Sequence, residues 1–215
     1  MSGDRFNRRA SLEGVALLVL SLAAAAGCSS GSQPRLSGAS VDANAVAAKA
    51  MELYDANKDG AVDATEAAKC PPLGVSFAEF DADHDGRIAS AELLAAIQGM
   101  SASGAAVTSF QCNVTYAGRP LEGASVKLVP DAMYGDALLP AQATTDGSGV
   151  ARPTIGDENL PAKFAGAALL YPGLYRVEIT HPQTQLAAKY NTATELGAAV
   201  NPASRNGASA RFDLK

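Results

Sequence analysis

Two twelve-residue stretches constrain this chain more than any other feature. They are DANKDGAVDATE, Asp55 to Glu66, and DADHDGRIASAE, Asp81 to Glu92. Each carries oxygen-bearing side chains at the first, third and fifth places, glycine at the sixth and glutamate at the twelfth. Ca²⁺ is a hard ion that takes roughly six to eight oxygen ligands, so carboxylates, amides and backbone carbonyls at this spacing suit it. In the first stretch the donors would be Asp55, Asn57, Asp59, Asp63 and Glu66, with the backbone carbonyl of Ala61. In the second they would be Asp81, Asp83, Asp85 and Glu92, with the carbonyl of Arg87. Ala89 stands at the ninth place, where coordination often runs through water. Gly60 and Gly86 permit the sharp turn that a side chain would obstruct. The pattern predicts two Ca²⁺ sites.

The flanking residues read as short helices. ANAVAAKAMELY precedes Asp55, with Val46, Met51, Leu53 and Tyr54 as an apolar stripe, and ELLAAIQGM follows the second loop. ATEAAKC begins a helix that Pro71-Pro72 should stop. SFAEF remains for the helix entering the second loop, with Ser76 as N-cap and Glu79 completing a capping box. Together these residues resemble a tandem EF-hand pair over 42–100. The resemblance implies that Val62 and Ile88, both at the eighth place, pair the loops through a short antiparallel bridge. The loops begin 26 residues apart, closer than in calmodulin-like pairs, which leaves little helix for a sensor's lever. Dockerin modules also carry short calcium-loop pairs, but theirs typically end in Asp, unlike Glu66 and Glu92.

Charge separates this segment from the rest. Val41 to Met100 holds eleven Asp/Glu against four Lys/Arg, whereas Ser101 to Lys215 holds nine of each. That asymmetry argues for two modules. No basic patch exists to track phosphates, which argues against a nucleic-acid partner.

From about Ala106 the hydrophobic period becomes two. Phe110, Cys112, Val114 and Tyr116 share one strand face, as do Ala124, Val126 and Leu128, and Tyr175, Val177 and Ile179. AGRPLEG, TDGSG, YPG and RNG supply turns between them. About seven strands over 106–215 would make an all-β sandwich. The expected fold class is therefore multidomain, a small all-α pair followed by that sandwich. YAGRPLEGASVKLVP, ATTDGSGVARPTI and YPGLYRVEIT resemble the carboxypeptidase regulatory-like, or transthyretin-like, sandwich, a transthyretin/Ig-like architecture. DENLPAKFAGAALL fits that family poorly and reads as an insertion or a loop with a short helix. The transthyretin-like hydrolases end in Tyr-Arg-Gly-Ser and use histidines, but this chain ends in ARFDLK and has only His84 and His181. With no histidine pair, activated nucleophile or phosphate loop in view, the sequence predicts no catalytic residues and no enzyme.

The N-terminus reads as an export signal over 1–27. Arg5, Arg8 and Arg9 precede an apolar run from Val15 to Ala26 that is too short to span a bilayer, which needs about twenty residues. Ala25-Ala26-Gly27-Cys28 resembles the lipobox of bacterial lipoproteins. The resemblance implies lipidation of Cys28 and a membrane-anchored protein facing the periplasm or cell exterior. A plain secretory signal is the alternative. Ser- and Gly-rich residues over 28–41 read as a flexible tether.

Cys70 and Cys112 then remain, an even pair in an oxidising compartment. Two readings stand open: a disulfide between the modules, or two free thiols, with Cys112 as a small core residue on its strand's apolar face. The function expected is calcium binding with a structural or protein-interaction role, and a protein or envelope partner. The alternative is calcium-dependent control of partner binding by the sandwich.

Overall fold

The computed structural model describes residues 41–102, 106–160, 162–203 and 208–215. The export signal, Cys28 and most of the tether lie outside the described residues. The described residues belong to one compact unit.

The first helix, α1 (Ala43–Tyr54), starts where Asp42 accepts from the Asn44 and Ala45 N–H groups. That side chain satisfies donors which a helix leaves open at its first turn. The buried stripe of α1 is Val46, Ala47, Ala50 and Tyr54. Leu53, expected on that stripe, is 40% exposed. The small alanines lie inside instead, and α1 packs on α5 (Ser90–Ala102). Leu93, Ile97 and Met100 of α5 are buried at helical spacing.

Between these helices the chain forms β1 (Ala61–Asp63), α2 (Ala64–Ala67), α3 (Pro71–Val75), α4 (Phe77–Phe80) and β2 (Arg87–Ala89). Pro71 and Pro72 stand in the first turn of α3 and begin that helix, where expectation had them ending α2. A first-turn proline has no N–H to leave unpaired, and its fixed φ suits the helix. Ser76 does not cap α4 through its side chain. Its backbone, at φ −106 and ψ 7, already closes α3, so the extended N-cap geometry is not open to it.

The remaining chain is built from β3 (Gln111–Tyr116), β4 (Arg119–Pro120), β5 (Ser125–Pro130), β6 (Ala141–Thr144), β7 (Val150–Ala151), β8 (Gly173–Thr180), β9 (Gly197–Val200) and β10 (Ser209–Leu214). One sheet runs β10-β3-β4, with β7 also paired to β3, and the other runs β6-β5-β8-β9. Strand β10 lies parallel to β3, whereas β5 pairs antiparallel with both β6 and β8. The alternation read from sequence holds: Cys112 and Val114, Val126 and Leu128, and Tyr175, Val177 and Ile179 are all buried. The described residues of DENLPAKFAGAALL form short 3₁₀ turns at Asp157–Asn159 and Ala162–Phe164. Both sheets and the helices contribute to one hydrophobic cluster running from Val46 to Leu214. The chain is thus a small helical segment followed by a sheet-rich one, sharing a core.

Cys70 and Cys112 are not bridged. Each is a free, buried thiol, so the disulfide reading gives way to the second of the two. Burial, and for Cys70 then the nearby Asp131 carboxylate, pushes each thiol up to about 12.

Candidate metal centre

The two loops share one scheme of backbone-to-carboxylate hydrogen bonds. In the first, Glu66 Oε1 accepts from the N–H groups of Ala56 and Asn57 at 2.9 and 3.2 Å. In the second, Glu92 Oε1 accepts from Ala82 and Asp83 at 2.8 and 3.2 Å. The twelfth residue therefore reaches back over the loop's start in both. Asp55 accepts from Asp59 and Gly60 N–H at 3.1 and 3.0 Å, as Asp81 does from Asp85 and Gly86 at the same distances. Asn57 and Asp83 each accept from the fifth residue of their loop, and Asp59 and Asp85 from the seventh. These bonds curl the backbone of both loops, and in the second the Asp81, Asp83 and Asp85 oxygens gather together.

The curl requires left-handed backbone at two places. Lys58 and His84 have φ of 58 and 60, and Gly60 and Gly86 have φ of 90 and 88. A side chain at the glycine positions would be strained although the space is open. The loops meet back to back through β1 and β2, with Val62 opposite Ile88. Both are fully buried, worth about 1.5–3 kcal/mol each by area.

The donor set fits a hard divalent cation. Carboxylate oxygens of Asp81, Asp83 and Asp85 lie within 4.8 Å of one another. Glu92 is held below the usual carboxylate range, first by the Ala89 N–H and then by Asp83 and Ala82, against some desolvation. Asp59 is lowered too. Desolvation opposes the shift, but the Ala61 N–H, the Asn57 amide and the Arg87 guanidinium prevail. Ionised carboxylates with part of their oxygens already oriented are what Ca²⁺ needs.

Two differences separate the loops. Asp63 Oδ1 accepts from Thr65 and Glu66 N–H at 2.8 and 2.9 Å, whereas the bond from Asp63 N–H to Glu66 Oε2 at 3.1 Å is matched in the second loop by Ala89 N–H to Glu92 Oε2 at 2.8 Å. Asp63 is therefore half of a capping box that starts α2, as well as the ninth residue of its loop. Ala89 has no such group. The Arg87 side chain crosses from the second loop to pair with Asp59 of the first, while its carbonyl stays in the second.

A polar cluster that the sequence did not announce lies behind the first loop. Asp131, fully buried, accepts from Tyr54 Oη at 2.5 Å, Cys70 Sγ at 3.4 Å, Met133 N–H at 3.3 Å and Arg176 Nε at 3.1 Å. Arg176 also donates to the Lys69 carbonyl at 3.2 Å. Asp131 is fully buried while the Arg176 side chain is 32% exposed, so losing the arginine would leave the carboxylate buried without its cationic partner. Burial, and then the bond to Asp131, raises the Tyr54 phenol well above its ordinary value, so it stays a donor.

A family model described as EF hand matches residues 47–66 and 75–96. No curated protein and no solved structure matches the chain. The matched segments take in both curled loops, and together with the Asp81, Asp83 and Asp85 cluster they support calcium binding.

Proposed function

We propose that this is an exported, lipid-anchored protein in which two EF-hand loops each hold a Ca²⁺ ion as a constitutive brace beside a carboxypeptidase regulatory-like sandwich. It acts by binding a protein or envelope partner and not by catalysis. The observation that carries the brace is the length of the inner helices. α2 and α4 have four residues each. A sensor exposes a groove by swinging its helices apart, and a single turn has no arm to swing. Extracellular modules bind calcium at roughly 10⁻⁴ to 10⁻³ M, so plentiful calcium outside the cell would keep such sites filled. A filled site then stabilises the fold by mass action.

The anchor rests on Ala25-Ala26-Gly27-Cys28 and the polar tether after it. Among the described residues no helix is long and apolar enough to cross a membrane. The sandwich assignment is supported by where the three resembling pieces fall. YAGRPLEGASVKLVP runs through β4 and β5, ATTDGSGVA through β6 and β7, and YPGLYRVEIT through β8.

The test has three arms on the full chain. Mass analysis of the N-terminal peptide should show acylated Cys28, and Cys28→Ala should release the protein from the membrane. A calcium chelator should lower the melting temperature. An unchanged melt would remove the brace. Partner capture should give equal yield with and without calcium, and a calcium-dependent yield would replace the brace with a regulator.

A further inference from the structure

Tyr54 immediately precedes Asp55, the first residue of the first loop, and Cys70 follows Glu66, the last, by four residues. Both reach the same buried carboxylate, Asp131, which follows β5 in the sheet-rich segment. Arg176 of β8 closes the arrangement by binding Asp131 and the carbonyl of Lys69, which lies between Glu66 and Cys70. The start and the end of one loop are therefore clamped to one residue. The second loop has a different attachment. Glu79, two residues before Asp81, accepts from Asn201 Nδ2 at 2.7 Å, and that bond is exposed.

We infer that Tyr54, Cys70, Asp131 and Arg176 couple calcium binding in the first loop, and not in the second, to the packing of the sheet-rich segment. This rests on the reading that the loops bind calcium. The Glu66 carboxylate already bonds the Ala56 and Asn57 N–H groups across the loop. An ion bound by Glu66 would hold the loop's start and its exit at a fixed separation. Tyr54 and Cys70 ride on those two ends, so the spacing that holds the ion is the spacing that suits Asp131. The ion favours the clamped arrangement, and by linkage the clamp favours the ion by the same factor. A hydrogen bond in a buried, low-dielectric setting transmits such a preference well, because its loss is not made good by water. In this reading Tyr54 and Asp131 are positioning residues that touch no ion. The two loops are alike in sequence and unequal in consequence.

The experiment titrates calcium alone into the full chain by calorimetry. Glu92→Gln isolates the first loop, and Glu66→Gln the second. Adding Tyr54→Phe, which keeps the ring and removes the hydroxyl, should weaken calcium at the first loop about fivefold or more, within the usual span of coupling. It should leave the second loop unchanged. Asp131→Asn should act in the same direction. Tyr190→Phe removes a hydroxyl that accepts from the Lys215 N–H and should leave both loops unaltered, although it too loses a part-buried tyrosine bond. The calcium-induced change in tyrosine absorption should contain a component that Tyr54→Phe abolishes. Equal affinity at the first loop with and without the Tyr54 hydroxyl overturns the coupling while leaving calcium binding intact. Absence of any calcium heat in the parent chain overturns both readings.

Discussion

Gly197 of β9 lies against the backbone of Pro71, the first residue of α3. A Cβ built at 197 would stand 2.5 Å from the Pro71 carbonyl oxygen and overlap the Pro72 nitrogen as well. The prolines that open α3 therefore rest directly on the edge of the second sheet, and hydrogen at position 197 is what lets them. Gly197→Ala should force these backbones apart at a cost of about 1–3 kcal/mol, the usual range for overpacking. Denaturant melts of the full chain check it. An unchanged midpoint would mean that α3 does not press on β9.

Glutamine at both closing positions should reproduce calcium removal. Glu66→Gln with Glu92→Gln preserves side-chain length but replaces two carboxylates that would each give both oxygens to an ion. Wild-type protein in chelator and the double variant in calcium should melt together, and the variant should not respond to chelator. At free calcium about 100-fold over its dissociation constant, one site contributes about 2.7 kcal/mol to stability. A double variant that still gains stability from calcium would place the ion elsewhere.

The loops were legible in the sequence because an ion dictates residue type at fixed spacing, and the Val62 and Ile88 pairing came with them. The strand faces were legible because burial on one side of a sheet imposes period two. Asp63 carries a second local signal beside its place in the loop. Asp63-Ala-Thr-Glu66 has the spacing of a capping box, and it forms one. Ser76 and Glu79 have the same spacing and do not, since Ser76 is committed to the end of α3. Local pattern could not choose between them, because the choice depends on what the preceding prolines do. The Asp131 cluster had no local signal at all. It joins positions 54, 70, 131 and 176, and only the packing of α1 and β8 brings them to one carboxylate.

Cys70 and Cys112 should resist alkylation in the folded chain and react once it is unfolded. Burial pushes both thiols up to about 12, with Asp131 adding to the effect at Cys70. Thiolate is the reactive form, so at pH 8 almost none is available. The same shift sets a pH dependence. Unfolded cysteine ionises at about 8.5. Below that, both states hold the proton and the stabilisation is fully present. As pH rises toward 12 the unfolded chain releases protons that the folded chain keeps, so stability falls. Iodoacetamide labelling read by peptide mass, with melts between pH 7 and pH 10.5, tests both points. Rapid labelling of either cysteine at pH 8 without unfolding would contradict the burial.

The hydrogen bonds around His181 select one tautomer of its neutral ring. Its Nδ1 faces the N–H groups of Gln183 and Thr184 at 3.2 and 2.9 Å, and its Nε2 lies 2.9 Å from the Glu122 carbonyl. Two donors point at Nδ1, so that nitrogen must carry the lone pair, and Nε2 carries the proton that reaches Glu122. The ring thereby ties the end of β8 to the turn that leads into β5. Long-range nitrogen–proton NMR correlations of the neutral protein should show a protonated Nε2 and an acceptor Nδ1. His181→Ala should cost about 1–2 kcal/mol, since each lost hydrogen bond is worth about 1 kcal/mol net. A proton found on Nδ1 would require the Gln183 and Thr184 backbone to turn away, and the tie between β8 and Glu122 would then be absent.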